Sequence, residues 1–277
     1  MESLNVKISL LQTNPQDDKA KNLANVTAMA ASVIKDERPD LIVLPEYFNF
    51  YGGSTEAKLA AAETLDNSET WAFLSNLART NNVWVHGGTV MEVIPGEERF
   101  YNTSLVFNRK GEEVARYRKI HLFDIIGPDG TAHRESDLIK PGEAIVTFDL
   151  EGHTVGCVIC YDIRFSDLFL KLAEKPCDLI LVPAAFTLHT GMDHWEVILR
   201  GRAIETQAYV AACGQWGKNV SNGRMREVYG NSMIIDPWGH VVARASNGVT
   251  TVSGTAAKAQ VEKVRSLIPL QQNRRLR

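Results

Sequence analysis

Cys160 is the residue of this chain whose type and position best suit covalent chemistry. It closes the apolar run Thr154–Cys160, which predicts a strand buried on both faces. A polar segment and an apolar-periodic helix follow. The cysteine is therefore predicted at the carboxyl end of a central strand, where open α/β sheets bind ligands. The positive end of that helix would favour the nucleophilic thiolate over the thiol. The alternative is a small buried apolar residue, because free cysteines are usually inert.

The C-x-x-C spacing of Cys157 and Cys160 also occurs in redox and zinc sites. Residues three apart on a strand point to opposite faces of the sheet, so we expect the two sulfurs not to meet. The sequence has no second C-x-x-C and no histidine pair with metal-ligand spacing. We therefore predict neither a redox pair nor a metal site.

A glutamate and a lysine are the candidate partners of this cysteine. A cysteine that opens an amide needs a base for its proton, stabilisation of the oxyanion and an acid for the leaving amine. Glu46 ends the apolar strand Asp40–Glu46, and Lys119 lies just past another strand. Papain-like enzymes use a histidine as the base, but no sequence motif here identifies a histidine for that role. Taken singly, Glu46 and Lys119 would more often be surface charges.

Length and composition are those of a globular enzyme. The chain has 277 residues, of which 44% are hydrophobic, and no linker-like segment divides it. We therefore predict a single domain over residues 1–277. The net charge of −3 gives no nucleic-acid footprint, and no apolar run reaches the length of a membrane span. No targeting segment is evident, so we expect a cytoplasmic protein with neither a nucleic-acid nor a membrane partner.

The two halves of the chain repeat one order of elements. Each has a strand, a helix and a second strand: Val6–Gln12, the helix capped by Asp17 or Asp18, and Asp40–Glu46; then Thr154–Cys160, Phe165–Glu174 and Asp178–Ala184. The closing strands read D-L-I-V-L-P-E and D-L-I-L-V-P-A. We predict two βαβ halves related by pseudo-symmetry in one layered α/β domain. Glu46 and Cys160 would then lie at the carboxyl ends of neighbouring strands.

Further elements lie between and after these halves. The predicted helices are Ser68–Asn81, Asp193–Gln207 and Ala257–Ile268, and the predicted strands are Val83–Val93, Phe100–Phe107, Glu112–Arg118, Ala208–Cys213, Asn231–Ile235 and His240–Arg244. The polar stretch His121–Gly142 predicts a long loop of the kind that often has a function. Asn247–Gly248 is a hairpin signal.

Four separated motifs occur in this order along the chain. They are L-P-E at 44–46, Y-R-K-I-H-L-F at 117–123, E-S at 135–136 and C-Y-D-I-R-F at 160–165. Together they resemble the nitrilase superfamily of carbon–nitrogen hydrolases, and the matching segments cover nearly the whole chain. The resemblance implies a four-layer αββα sandwich with an internal pseudo-two-fold repeat. It also implies a catalytic triad of Glu46, Lys119 and Cys160, with Glu135 as a second glutamate.

The resemblance assigns a role to each residue. Glu46 would be the general base for Cys160, then the acid for the departing ammonia. Lys119 would favour the thiolate and, with the backbone N–H of Tyr161, hold the oxyanion. Glu135 would orient Lys119 or the substrate. We expect Asp162 and Arg164 to be structural, as an ion pair or a cap behind the nucleophile.

Segments at 194–200 and 202–207 resemble the Nit amidase branch, which includes deaminated-glutathione amidases and ω-amidases acting on α-ketoglutaramate. The resemblance implies hydrolysis of a small carboxamide to an acid and ammonia through a thioester, with neither a metal nor an organic cofactor. One alternative is a hydrolase of N-carbamoyl amines or amino acids, or of general aliphatic amides. Another is a non-catalytic small-molecule-binding or scaffold protein, which would have no chemical need for all four residues.

An anionic substrate would need a cationic partner for its carboxylate. Arg200 and Arg202 lie two apart on a predicted helix and point about 200° from each other, so at most one of them can face the site. Arg200 and the loop residue His189 are the candidates, and the choice among Arg200, Arg202 and His189 stays open. We expect a preference for anionic over neutral amides.

We also expect a homodimer or a larger homo-oligomer. The apolar stripes on the helices that follow Cys160 and Met192 exceed what one sheet face needs. Family members are usually oligomeric, which the resemblance extends to this chain.

Overall fold

The computed structural model places the chain in two stacked β-sheets that are covered by helices. It describes residues 4–127, 130 and 132–276. In the first half the elements are β1 (Asn5–Gln12), α1 (Lys19–Glu37), β2 (Leu41–Val43), α2 (Thr55–Ala61), α3 (Glu69–Asn81), β3 (Trp84–His86), β4 (Val90–Val93), β5 (Phe100–Phe107), β6 (Glu113–Arg118), β7 (Asp124–Ile126) and β8 (Ala132–Arg134).

The second half continues the same alternation of strands and helices. Its elements are β9 (Thr147–Leu150), β10 (His153–Cys157), α4 (Ser166–Glu174), β11 (Leu179–Ala184), α5 (Leu188–Thr206), β12 (Tyr209–Gly214), β13 (Trp216–Ser221), β14 (Arg224–Tyr229), β15 (Met233–Ile235), β16 (Val241–Arg244), β17 (Thr250–Ala257), α6 (Lys258–Leu267) and α7 (Leu270–Asn273). Two short 3₁₀ turns, Glu135–Asp137 and Cys160–Arg164, lie outside these elements.

Each half of the chain builds the parallel centre of its own sheet. The first sheet has the order β17-β1-β2-β3-β5-β4, with β6 on β5, and β1, β2 and β3 are parallel. The second has the order β16-β15-β12-β11-β10-β9, and β10, β11 and β12 are parallel. The predicted repeat is thus confirmed. The prediction of neighbouring strands is wrong, since β2 before Glu46 and β10 before Cys160 belong to different sheets.

Two hydrophobic cores define four layers. One packs α1 and α3 on the outer face of the first sheet, through residues such as Val26 and Leu74. The other fills the space between the sheets, with Ile8 and Leu181 among its members, and continues under α4 and α5. The predicted αββα sandwich is therefore confirmed. No helix among the described residues has the length and hydropathy that a bilayer span requires.

The predicted strand Val83–Val93 is interrupted in the structure by Gly87–Gly88. Gly88 has φ +52°, and a Cβ there would lie 2.0 Å from the carbonyl oxygen of Pro45. Only glycine fits such a contact, because any side chain would collide with backbone. The break lets the chain pass directly beside the segment that carries Glu46.

The second half differs from prediction at several turns. Helix α5 begins at Leu188 instead of Asp193, with Gly191 inside it. A Cβ at Gly191 would lie 2.4 Å from Tyr229, so glycine here lets the β13–β14 hairpin pack on the helix. The hairpin predicted at Asn247–Gly248 is wrong, because β17 crosses to the first sheet and pairs with β1.

Candidate active site

Glu46, Lys119, Glu135 and Cys160 line one cavity of about 440 Å³. The sequence predicted these four as site residues. The structure brings them together in a cavity to which both sheets contribute. Each follows a different element: β2, β6, β8 and β10. The long segment predicted as a structureless loop contains the β7–β8 hairpin and the 3₁₀ turn that carries Glu135.

The ammonium of Lys119 lies between two carboxylates. Its Nζ is 3.2 Å from Oε1 of Glu46, and 3.0 and 2.8 Å from the two oxygens of Glu135. Burial alone would lower the pKa of Lys119, but Glu135 and Glu46 outweigh it and hold that pKa well above its ordinary value. Lys119 is therefore a fixed positive charge rather than a proton carrier.

Glu46 is oriented by groups from both sheets. The Asn102 amide on β5 donates to Oε1 at 2.8 Å, and the backbone N–H of Ala185, just after β11, donates to Oε2 at 2.8 Å. Glu135 is held by the backbone N–H of Phe123 at 2.6 Å. Because every carboxylate oxygen here has a donor, the two acids are held in fixed positions.

The backbone at Cys160 adopts a left-handed conformation, with φ +45°, in the turn Cys160–Arg164. Few residues other than glycine adopt this conformation, and nucleophiles on sharp strand-to-helix turns share it. The carboxylate of Asp162 fixes the turn. It accepts hydrogen bonds from the backbone N–H groups of Ile159 and His121 at 2.9 Å each, and from the Tyr117 hydroxyl at 2.7 Å.

Of the two predicted alternatives, an ion pair with Arg164 or a cap, the structure shows Asp162 as a buried cap. The guanidinium of Arg164 lies over the rings of Phe186, at 5.1 Å, and Tyr161, at 5.8 Å. The acid is satisfied instead by the donors behind the nucleophile. Helix α4 starts only at Ser166, so Cys160 does not sit at its positive end as the sequence predicted.

The Cys160 thiol is held in its protonated form. Burial raises its pKa, the nearby Glu46 carboxylate adds to that effect, and Lys119 only partly opposes it, so the pKa lies well above the ordinary value. Lys119 favours the thiolate, as predicted, but burial and the Glu46 carboxylate outweigh it. Attack on a substrate would require Glu46 to take the proton.

Among the predicted substrate-binding residues, only Tyr161 lines the cavity. His189 is exposed on the first turn of α5 and does not line it. Arg200 donates to the carbonyl of Gly239 at 2.8 Å, and Arg202 to that of Ile163 at 2.8 Å. Both arginines are occupied in holding α5 to its neighbours. The predictions that His189 and Arg200 bind the substrate are therefore contradicted, since neither residue lines this cavity.

Sequence reasoning missed the cations that do lie at the cavity. Lys58 on α2 and Arg226 on β14 both line it, as does Arg134 beside Glu135. The sequence contained one signal for the hairpin that carries Arg226: Asn222–Gly223 is a two-residue hairpin turn, with φ +50° and φ +72°. Nothing in the sequence marked Lys58.

The part of the chain that the structure describes contains no cluster of metal ligands. No three histidine, cysteine or carboxylate side chains there are grouped to hold an ion. The four cysteines are buried free thiols. What the arrangement can do chemically is activate a thiol and stabilise an anion beside it.

The comparisons with known proteins agree with one another. A family model described as carbon-nitrogen hydrolase matches residues 7–266. Omega-amidase NIT3 of Saccharomyces cerevisiae is 35% identical over 279 residues, covering 99% of this chain and 94% of that protein. A deaminated glutathione amidase of Synechocystis sp. is 35% identical over 268 residues, covering 95% and 96%.

Solved structures give the same result. The crystal structure of Saccharomyces cerevisiae Nit3, described as a member of branch 10 of the nitrilase superfamily, superposes with a TM-score of 0.87 at 31% identity. The match covers 98% of this chain and 97% of Nit3. The C. elegans NitFhit protein gives 0.90 at 33% identity, covering 99% of this chain and 66% of that one. The resemblance drawn from the motifs is confirmed.

The raised pKa of Cys160 predicts a pH dependence of alkylation. Iodoacetamide should label Cys160 slowly at neutral pH and faster as the pH rises, because the thiolate is the reactive form. Glu46→Gln removes the carboxylate that raises this pKa, so its labelling curve should shift to lower pH. Lys119→Met should shift the curve to higher pH.

Labelling rates at Cys160 can be read by peptide mass spectrometry across the pH range. Cys160→Ala is the control for reaction at the other three thiols, and circular dichroism checks that each variant is folded. An unchanged curve in Glu46→Gln, or a shift to higher pH, would contradict the assigned electrostatics.

Proposed function

The chain belongs to the carbon–nitrogen hydrolase family, and on this premise we propose that it is a cysteine-dependent amidase. The reaction is the hydrolysis of a small carboxamide to a carboxylic acid and ammonia through a thioester. The convergence of Glu46, Lys119, Glu135 and Cys160 in one cavity is the observation that carries the proposal. Amide hydrolysis needs a nucleophile, a group that accepts and returns its proton, and a positive charge beside the oxyanion, and the cavity contains a group for each.

The first step is attack by sulfur. Glu46 takes the proton of the Cys160 thiol as sulfur bonds to the carbonyl carbon, and the carbonyl π electrons move onto oxygen. Burial raises the pKa of the thiol, so we expect its proton to pass to Glu46 as the carbon–sulfur bond forms. The fixed position of Glu46 between Asn102 and Ala185 keeps the base aligned.

The oxyanion of the tetrahedral intermediate is stabilised by the ammonium of Lys119 and by the backbone N–H of Tyr161. A preorganised charged donor stabilises an oxyanion more strongly in a buried site than it would in water. Glu135 acts on Lys119, which it holds in place through two short contacts. It is a positioning residue, without a proton-transfer role.

Collapse of the intermediate breaks the C–N bond. Glu46 returns its proton to the leaving nitrogen, ammonia departs and the acyl group stays on sulfur as a thioester. Glu46 then takes a proton from water, whose oxygen attacks the thioester carbon. The acid leaves and Cys160 regains a proton, so the atoms and charges balance with no redox change and no metal.

The substrate is proposed to be an amide that carries a carboxylate. Two similar proteins are named omega-amidase and deaminated glutathione amidase, and these names imply such substrates. The cations Lys58, Arg134 and Arg226 at the cavity are consistent with a negative charge on the ligand. α-Ketoglutaramate and deaminated glutathione are therefore the amides to test first.

The test of the proposed reaction is ammonia release from a panel containing α-ketoglutaramate, deaminated glutathione and butyramide. Wild-type protein should release ammonia, and Cys160→Ala should not. Glu46→Gln keeps the shape and removes the base, so kcat/KM should fall by at least about 100-fold. Activity within about tenfold of wild type would mean that Glu46 is not the base.

We also propose that the enzyme is a homodimer or a larger homo-oligomer. Val197 and Ile204 lie seven residues apart on α5, hence on one face, and are 70% and 49% exposed. Unpaired apolar side chains on one face are typical of an interface. The single-domain organisation and the cytoplasmic location stay predictions from the sequence.

Light scattering at micromolar concentration should find an assembly, and Val197→Glu with Ile204→Glu should weaken it. Val114→Glu is the matched control, since Val114 is an exposed apolar residue on β6 in the other sheet. A monomer in the wild-type protein would refute the assembly.

A further inference from the structure

The β13–β14 hairpin forms one wall of the cavity mouth and is anchored on both sides. On one side the backbone N–H of Gly53 donates to the carbonyl of Val220 at 2.8 Å, and that of Asn222 to the carbonyl of Gly53 at 2.9 Å. On the other side the N–H of Tyr229 donates to the carbonyl of Phe186 at 2.9 Å. The hairpin is therefore held in place relative to the cavity that Asn222 and Arg226 line.

Arg226 and Lys58 bring two positive charges to this mouth. The ammonium of Lys58 donates to the Ser221 hydroxyl at 2.7 Å. Within residues 4–127, 130 and 132–276, neither cation forms an ion pair with a carboxylate. Burial lowers the pKa of Lys58, and the charge of Arg226 lowers it further, so the two cations repel each other. An anion placed between them would remove that repulsion.

Tyr51 connects this mouth to the reacting groups. It lines the same cavity as Arg226, Glu46 and Cys160, and its hydroxyl interacts electrostatically with all three of them. Burial raises the pKa of Tyr51 to about 12, so it is a neutral phenol at ordinary pH. The guanidinium of Arg226 and the thiol of Cys160 line the same cavity, so one ligand in it can contact both.

Charge differs between the two ends of the cavity. At the inner end, the carboxylates of Glu46 and Glu135 share the single ammonium of Lys119, which leaves an excess of negative charge. Away from Lys119, the cavity is lined by the cations Lys58, Arg134 and Arg226 and by one carboxylate, Asp137, so the charge there is positive on balance. A ligand with an amide at one end and a carboxylate at the other is thus oriented with its amide toward Cys160.

We propose that Arg226, assisted by Lys58, binds the carboxylate at the far end of the amide substrate, so that the β13–β14 hairpin sets the charge selectivity of the enzyme. The planar guanidinium suits a carboxylate because it can donate two parallel hydrogen bonds. The inference rests on the proposed amidase function and adds to it the residue that distinguishes anionic from neutral amides.

The test compares glutaramate with pentanamide, which differ only in the terminal carboxylate. In wild-type protein kcat/KM should be higher for glutaramate. Arg226→Gln should lower kcat/KM for glutaramate by at least about tenfold, the usual cost of losing a charged hydrogen-bond partner, and change that for pentanamide by less than about twofold. Lys58→Gln should act in the same direction with a smaller loss.

Arg224→Gln is the matched control, because Arg224 is exposed on the same strand but does not line the cavity. It should leave both substrates unchanged. An equal loss for both amides in Arg226→Gln, or no loss, would overturn the inference while the amidase function stands.

A binding measurement separates this result from a failure of the proposed function. Cys160→Ala cannot turn glutaramate over, so calorimetry on it reports binding alone. Glutaramate should bind, and should bind at least about tenfold more weakly when Arg226→Gln is added. If wild-type protein hydrolyses neither amide, the amidase function fails, and the binding result still decides whether Arg226 forms an anion site. Equal binding with and without Arg226 would refute that site.

Discussion

The buried ammonium of Lys119 is the constraint on which the site depends. A charge out of contact with water must be paired, and breaking such a pair by removing one partner costs about 3–5 kcal/mol. Lys119 is satisfied by Glu46 and Glu135 together, which follow β2 and β8 in the chain. The ends of these elements must therefore converge on β6, and the cavity forms where they meet. Burial and the neighbouring Glu46 carboxylate raise the pKa of the Cys160 thiol, and Lys119 partly opposes them.

The two sheets contribute different parts of the chemistry. The first sheet supplies the base and the ammonium, at the ends of β2 and β6, and the second supplies the nucleophile after β10. The N–H of Ala185 crosses from the second sheet to hold Glu46. Neither half of the pseudo-symmetric repeat contains a complete set of groups. Packing the halves face to face is thus the structural basis of the site as well as of the core.

Local signals in the sequence predicted much of this structure. Asp18, one of the two predicted caps, caps α1, helix α3 lies within the predicted range Ser68–Asn81, and Phe100–Phe107 is a strand with the predicted ends. The motifs also identified Glu46, Lys119, Glu135 and Cys160, which are among the residues that line the cavity. The pairing of strands between sheets could not be predicted, because apolar runs such as Leu41–Val43 and Leu179–Ala184 do not specify a partner. Periodicity likewise placed Arg200 on a helix without indicating that its guanidinium would bind Gly239.

The central claim is that Cys160, deprotonated by Glu46, carries the acyl group. Intact-protein and peptide mass spectrometry after rapid acid quenching of a slowly hydrolysed amide tests it directly. The account predicts an added mass equal to the acyl group on Cys160, and none on Cys157, which is 1% exposed in the core. An adduct on Cys157, or continued turnover by Cys160→Ala, would contradict it.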